Sequence, residues 1–126
     1  MVTDPISDFL IRLQNASRVG KERVILPNSN MIRSLAELLM REGYLTDVDT
    51  KDQKLSLALS YKNGHAAIQG VKRISKPSRR MYMGVRDVRP VKRGYGLLVL
   101  STLAGVVTGK EAQQKRVGGE ALFEIW

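Results

Sequence analysis

The sequence predicts an α+β protein made of two small lobes, and this interpretation rests on the order of its elements. Two amphipathic helical patterns come early, and apolar runs with the length and glycine boundaries of strands fill most of the remaining chain. Helices segregated from mostly antiparallel strands are typical of the α+β class. The chain has 126 residues, 43% of them hydrophobic, so it is long enough to bury a core.

The first predicted helix follows Asp4, a favourable N-cap residue, and begins with Pro5, whose fixed φ suits the first helical position. Gly20 ends the connection to a short strand at residues 23–26, which Pro27 terminates. The apolar side of this helix recurs at helical spacing and comprises Ile6, Phe9, Leu10 and Leu13.

A second helix is predicted after Asn28 or Ser29, either of which can cap its first turn, and Gly43 is the residue expected to end it. Both helices have one apolar side, so both need a sheet to cover. In the second helix that side comprises Met31, Ile32, Leu35, Leu38 and Leu39.

Three strands are predicted next. Residues 44–48 form the first, and residues 55–61 form the second because leucines alternate there with serine and alanine in a period of two. Asn63 and Gly64 are a strong signal for a two-residue hairpin turn. The chain is therefore expected to return antiparallel over residues 65–74.

A change in composition marks the predicted boundary between the lobes. Residues 71–93 contain nine Lys or Arg against one acid, Asp87. Pro77 interrupts the strand pattern inside this basic segment. We therefore predict an N-terminal α+β lobe over residues 1–76 and a C-terminal, mostly antiparallel β lobe with one short helix over residues 77–126.

The C-terminal lobe is expected to place a polar loop between a strand and a helix. The strand follows the glycines of residues 94–96 and leads into Ser101 and Thr102, with Gly105 closing the turn. Thr108 has the spacing of a capping box with Glu111, three residues on, so a short helix is expected after it. The chain then closes with a final strand over residues 120–126.

The net charge of +9 and the sequence pI near 10.2 favour a polyanionic partner, because neutralising part of that charge relieves repulsion within the folded chain. The absence of cysteine excludes disulfides, thiolate catalysis and cysteine-bound zinc. No apolar run reaches the roughly 18 residues that a membrane helix needs, and no signal segment is expected before the first helix.

Catalytic groups are sparse, and we expect a protein that is not an enzyme and has no metal, cofactor or small-molecule substrate. His65 is the single histidine and lies at the predicted hairpin turn. Asp47, Asp49 and Asp52 lack the glycine and bidentate glutamate of a calcium loop. The Gly-Tyr-Gly of residues 94–96 precedes a strand, whereas a dinucleotide-binding loop follows one.

Two candidate sites each leave two interpretations open. Tyr82 follows Arg79 and Arg80, so it can stack on an unpaired base while the arginines contact phosphate, or it can be a partly buried strand residue. Ser101 and Thr102 can bond base edges and 2′-hydroxyls, or they can make local turn contacts.

An ordered set of motifs over residues 3–126 resembles ribosomal protein eight of the small subunit, in its bacterial and plastid form. The resemblance implies a two-lobed α+β protein that is a primary binder of the central domain of 16S ribosomal RNA and helps to organise assembly of the platform. The motifs are Asp4-Pro5-Ile6, Arg12, Asn15, Pro27-Asn28-Ser29, Arg73-Ile74-Ser75-Lys76-Pro77, Arg80-Met81-Tyr82, Gly94-Tyr95-Gly96, Ser101-Thr102, Gly105 and Gly118-Gly119-Glu120.

The resemblance also implies partners, a location and contact residues. The partners are the central domain of the ribosomal RNA and the small-subunit proteins five and twelve, and the location is the ribosome of the cytoplasm or of the plastid stroma. The basic segment adds phosphate contacts at Arg73, Lys76 and Arg79. The RNA contacts that the resemblance implies are Ser101, Thr102, Gly105, Tyr82, Arg80, Thr3, Asp4, Arg12, Asn15 and Ser29.

This chain departs from most bacterial relatives at three positions. It has Leu103 and Ala104 where they usually carry a serine and a lysine, and Ser78 where they carry a glycine. Leu103 cannot donate a hydrogen bond, so affinity is expected to depend more on the basic segment. The alternatives to a ribosomal component are a basic regulatory protein of messenger RNA and a nucleic-acid-processing enzyme.

Overall fold

The computed structural model describes residues 4–91 and 94–126. The chain forms two compact units, one of residues 5–69 and the other of Asp4 together with residues 70–126. The described residues contain three α-helices and mainly antiparallel strands, which confirms the predicted α+β class.

The first unit packs two helices against a three-stranded antiparallel sheet. Its elements are α1 (Pro5–Val19), β1 (Arg23–Pro27), α2 (Asn30–Arg41), β2 (Leu45–Lys51), β3 (Lys54–Leu59) and a short hairpin of β4 (Tyr61–Lys62) and β5 (His65–Ala66). The strand order in the sheet is β1-β3-β2, so β3 is central. Helix α2 packs on β2 and helix α1 lies beside β1.

The core of the first unit forms where the helical and strand periodicities meet. Alternate residues of β3 are buried, as the predicted period of two requires. Ser29 caps α2 through its Oγ, which accepts a hydrogen bond from the Ile32 N–H at 3.2 Å. The fully buried side chains of this core include Phe9, Leu13, Leu35, Leu39, Leu55 and Leu57.

The second unit is an antiparallel sheet with one short helix. Its elements are β6 (Val71–Arg73), β7 (Tyr82–Met83), a 3-10 turn (Val85–Asp87), β8 (Leu97–Thr102), β9 (Gly105–Thr108), α3 (Gly109–Lys115) and β10 (Gly119–Ile125). The inner strands of the sheet are β8 and β10. Strand β10 pairs with β8 on one edge, and with β6 and then β7 on the other, while β9 pairs with the far edge of β8.

Helix α3 begins as predicted, with a reciprocal capping box. The Thr108 Oγ1 accepts from the Glu111 N–H at 3.1 Å, and the Glu111 carboxylate accepts from the Thr108 N–H at 3.1 Å. One buried cluster unites α3, the sheet and the segment after the 3-10 turn, and comprises Val88, Val91, Leu98, Leu100, Val107, Ala112 and Ala121.

The predicted antiparallel return over residues 65–74 is wrong beyond its first two residues. Asn63 and Gly64 do form the hairpin turn, but the hairpin holds only two residue pairs. Residues 71–73 instead pair with β10, which offers a longer run of backbone partners. The two units consequently divide between Gln69 and Gly70, whereas the composition change places the boundary after Lys76.

Replacing Phe9 or Leu13 by Ala should destabilise the chain by about 2–5 kcal/mol, because each side chain is fully buried and leaves a cavity. Urea unfolding followed by circular dichroism measures this loss. The matched control on the same helix is Ile11→Ala, since Ile11 is 54% exposed and should change the free energy of unfolding by less than about 0.5 kcal/mol. Equal losses at the buried and the exposed positions would contradict the packing of α1.

Candidate nucleic-acid interface

The segment between β6 and β7 forms a closed loop that carries exposed cations, and we call residues 75–81 the basic loop. At its tip, Pro77 and Ser78 form a two-residue turn, because the Lys76 and Arg79 backbones exchange two hydrogen bonds of 3.0 Å. The side chains of Lys76, Arg79 and Arg80 are exposed. Three cationic groups therefore project from a loop whose backbone is internally bonded.

Both ends of the basic loop are attached to β10. The Ser75 N–H donates to the Ala121 carbonyl at 3.0 Å, and the Ala121 N–H donates to the Met81 carbonyl at 2.9 Å. The Met81 N–H also donates to the Ser75 Oγ at 3.1 Å, which closes the base of the loop. The loop is thus a short excursion from an edge that runs along β10.

Tyr82 and Ser101 are brought into one row by Glu120. In the sheet register Glu120 lies opposite Tyr82 on β7 and opposite Ser101 on β8. Directly paired residues project to the same side of a sheet, so the three side chains share one face. Tyr82 is 72% exposed, which excludes the core interpretation of this tyrosine.

Glu120 is the third member of this row, and no pattern in the sequence predicts a role for it. Its Oε2 accepts from the Ser75 Oγ at 2.5 Å and from the Arg80 Nη1 at 3.0 Å. Ser75 is completely buried, and the Glu120 side chain is only 17% exposed. One carboxylate therefore contacts both ends of the basic loop.

The pKa of Glu120 lies below its ordinary value. Burial by itself would raise the pKa, but the hydrogen bonds from Ser75 and Arg80, together with the positive charges of Arg80 and Arg73, lower it by more. The carboxylate is consequently ionised at neutral pH, and it pairs with a cation in the surface that presents the basic loop.

The two hydroxyls at the end of β8 have different surroundings. The Thr102 Oγ1 donates to the Gly105 carbonyl at 2.8 Å and accepts from the Ala104 N–H at 3.1 Å, so it stabilises the β8–β9 turn. Ser101 is half-buried, and its hydroxyl has no hydrogen bond to another described residue. The geometry favours a turn role for Thr102, whereas the Ser101 hydroxyl can form a hydrogen bond with a bound partner.

The turn that joins β8 and β9 exposes an apolar tip. Residues 105–108 form strand β9, where the sequence predicts only a loop between a strand and a helix. Because β9 pairs with β8 as far as Thr102, Ser101 and Thr102 belong to β8 and not to the loop. Gly105 has a φ of +101°, which glycine adopts without strain. Leu103 is fully exposed at the tip.

Arg73 and Asp4 face each other. The Arg73 Nη1 donates to the Asp4 Oδ1 at 3.0 Å, and its Nε donates to the Ser75 carbonyl. Their side chains are 10% and 22% exposed, so these two charges hold the backbone near the basic loop in place. Thr3, Lys92 and Arg93 lie outside the described residues.

The remaining predicted contacts belong to the first unit. Arg12 is exposed, but its Nε contacts the Asp8 carboxylate at 3.1 Å and its Nη1 donates to the Ile25 carbonyl at 3.2 Å. Arg12 and Asn15 line a shallow cleft of about 320 Å³ beside β1. Ser29 uses its Oγ to cap α2, which is a structural role.

Within residues 4–91 and 94–126, no group of three or more acidic or histidine side chains is placed to hold a metal ion. No helix among the described residues is long and apolar enough to cross a membrane.

The ion pair of Glu120 should make stability depend on pH in a defined direction. Because the folded pKa lies below the ordinary value of 4.5, the unfolded chain binds a proton first on acidification, and the contribution of Glu120 is lost as pH falls through the folded pKa. Unfolding of the parent and of Glu120→Gln between pH 7 and pH 3 should show a difference in stability that is full near neutrality and shrinks in acid. A difference that does not vary with pH would contradict this origin.

Comparison with known proteins places these observations in a family. The family model of ribosomal protein S8 matches residues 4–126. The small ribosomal subunit protein uS8 of Nitratidesulfovibrio vulgaris strain DP4 is 45% identical over 126 residues, covering all of both chains. The uS8 of Kosmotoga olearia is 43% identical over 134 residues with full coverage of both chains, and that of Lactobacillus helveticus is 42% identical over 131 residues, covering all of this chain and 99% of the relative. The chain, with its basic loop and the row of Tyr82, Glu120 and Ser101, therefore belongs to the ribosomal protein S8 family.

Proposed function

We propose that this chain is a structural, non-enzymatic component of the small ribosomal subunit and that it binds ribosomal RNA. Relatives that share 42–45% identity and are matched over 99–100% of their length carry the name small ribosomal subunit protein uS8. They are bacterial, so the proposed location is the ribosome of a bacterial cytoplasm. The finer proposal, which the resemblance suggests, is binding to the central domain of the small-subunit RNA next to ribosomal proteins five and twelve.

The row of Tyr82, Glu120 and Ser101 beside the basic loop is the observation that carries the proposal of RNA binding. Exposed Lys76 and Arg79 suit phosphate groups, which give affinity without reading sequence. An exposed tyrosine gives a stacking surface for an unpaired base, and the hydroxyl of Ser101 suits a base edge or a 2′-hydroxyl. Affinity and selectivity are thus assigned to neighbouring but different side chains.

The basic test is binding to the transcribed central domain of a bacterial small-subunit RNA, such as that of Nitratidesulfovibrio vulgaris. A scrambled transcript of equal length and composition measures binding that depends on charge alone. The proposal requires tighter binding to the central domain than to the scrambled RNA. Equal binding to both transcripts at all salt concentrations would contradict it.

Replacing Lys76 and Arg79 together by Ala should weaken the binding of both RNAs by the same factor, because phosphate contacts carry no sequence information. The affinity should also depend less on salt concentration, because fewer counterions are released. If about five phosphates are neutralised in the parent, log K should fall with log salt at a slope of roughly −4 to −5, and the double variant should lose about two units of slope. The matched control is Lys51→Ala with Lys62→Ala, two exposed lysines of the first unit. An equal loss in the control would show that only net charge matters.

Tyr82→Ala and Ser101→Ala should each weaken binding of the central-domain RNA by about 1–3 kcal/mol. The slope of log K against log salt should stay unchanged, because no cation is removed. Tyr95→Ala is the matched control for the tyrosine, since Tyr95 is 87% exposed and lies outside the row. Titration of both RNAs, with thermal melts to verify folding, measures the effect. Equal losses on central-domain and scrambled RNA would assign these side chains to the fold alone.

A further inference from the structure

We propose that Glu120 is a positioning residue, which sets the basic loop and Tyr82 in the geometry that discriminates one RNA from another. The inference rests on the proposed RNA binding and goes beyond it, because it gives a specificity role to an acidic side chain. Its basis is the contact of one nearly buried carboxylate with Ser75 and Arg80, at the two ends of the basic loop.

The backbone alone does not fix the direction of the cations. Backbone bonds hold the loop at Ser75 and Met81 and close its tip between Lys76 and Arg79. The Arg80 side chain is 51% exposed, and its hydrogen bond to the Glu120 Oε2 attaches its guanidinium to β10. Without that acceptor the guanidinium is free to sample other rotamers, at a cost in conformational entropy when RNA binds.

The hydroxyl of Ser75 connects the carboxylate to the base of the loop. It donates to the Glu120 Oε2 at 2.5 Å while it accepts from the Met81 N–H at 3.1 Å. Met81 directly precedes Tyr82. Two successive hydrogen bonds, from Ser75 to Glu120 and from the Met81 N–H to Ser75, therefore link the carboxylate to the backbone next to the tyrosine. Loss of the carboxylate therefore affects the tyrosine and the arginine together.

Electrostatics and positioning predict opposite signs for one substitution. Glu120→Gln removes a negative charge close to the proposed phosphate contacts, and long-range attraction by itself would make every RNA bind more tightly. If Glu120 positions the loop, the same substitution weakens binding of the central-domain RNA, because the neutral amide is a poorer hydrogen-bond acceptor for Arg80 and Ser75. The direction of the change distinguishes the two accounts.

Glu124 supplies the matched control. It lies on the same strand, is partly buried as Glu120 is, and is in register with Lys72 and Leu98 rather than with residues of the row. Glu124→Gln changes the net charge by the same single unit as Glu120→Gln. It should leave binding of the central-domain RNA unchanged or slightly tighter.

The experiment titrates the full chain and both Gln variants with the central-domain transcript and with the scrambled transcript. Glu120→Gln should lower the affinity for the central-domain RNA about five- to hundredfold, as expected for loss of a hydrogen bond to a charged group. It should not lower the affinity for the scrambled RNA. Hydrogen exchange of the Met81 amide should accelerate in this variant by a larger factor than that of the core amides of either unit. A merely structural role would instead weaken the binding of both RNAs by the same factor.

A second pair of variants keeps the test decisive if Glu120→Gln folds poorly. Arg79→Gln and Arg80→Gln each remove one exposed cation of the same loop, but only Arg80 contacts Glu120. Positioning predicts that Arg80→Gln lowers the preference for the central domain more than Arg79→Gln does. Equal effects of the two variants would overturn the inference.

The outcomes separate this inference from the proposed function. If the parent chain shows no preference for the central domain, the proposed function fails. If the parent shows the preference and Glu120→Gln retains it in full, RNA binding stands and the positioning role of Glu120 is overturned.

Discussion

Backbone pairing along both edges of β10 is the constraint on which the candidate interface depends. One edge takes β8, and the other takes β6 and β7 in succession, so the chain between β6 and β7 must leave the sheet and return to it. That excursion is the basic loop. The same pairing places Glu120 opposite both Tyr82 and Ser101, and a shift of one residue would move these side chains to opposite faces.

The charges in the second unit follow from the cost of burying an ionised group. Glu120 and Arg73 are both largely removed from water, and each has a charged partner together with a hydrogen bond to a neighbouring segment. A buried charge without such contacts costs several kcal/mol, so these partners are required by the fold. An acidic residue is thereby accommodated next to the exposed cations of the basic loop.

Two glycines permit the close approach of strands at this site. A Cβ on Gly119 would lie 2.3 Å from the Ser101 carbonyl oxygen, and one on Gly118 would lie 2.5 Å from that of Met83. Such contacts are far inside van der Waals distance, so a side chain at either position would push apart the strands that carry the row. The glycine pair therefore lets the strands of the row lie close together.

The sequence by itself determined the features that depend on neighbouring residues. Both long helices, the Ser29 cap, the Thr108 capping box and the turn at Asn63 are local, because the atoms involved lie within a few positions along the chain. It also indicated the cations of the basic loop through composition, whereas the exposure of Tyr82 was open until the fold was known. Only the tertiary structure decided that residues 71–73 join β10 and that Glu120 holds the base of the basic loop. Strand partners and side-chain contacts between distant segments are settled by competition among many possible pairings, and no local pattern records the result.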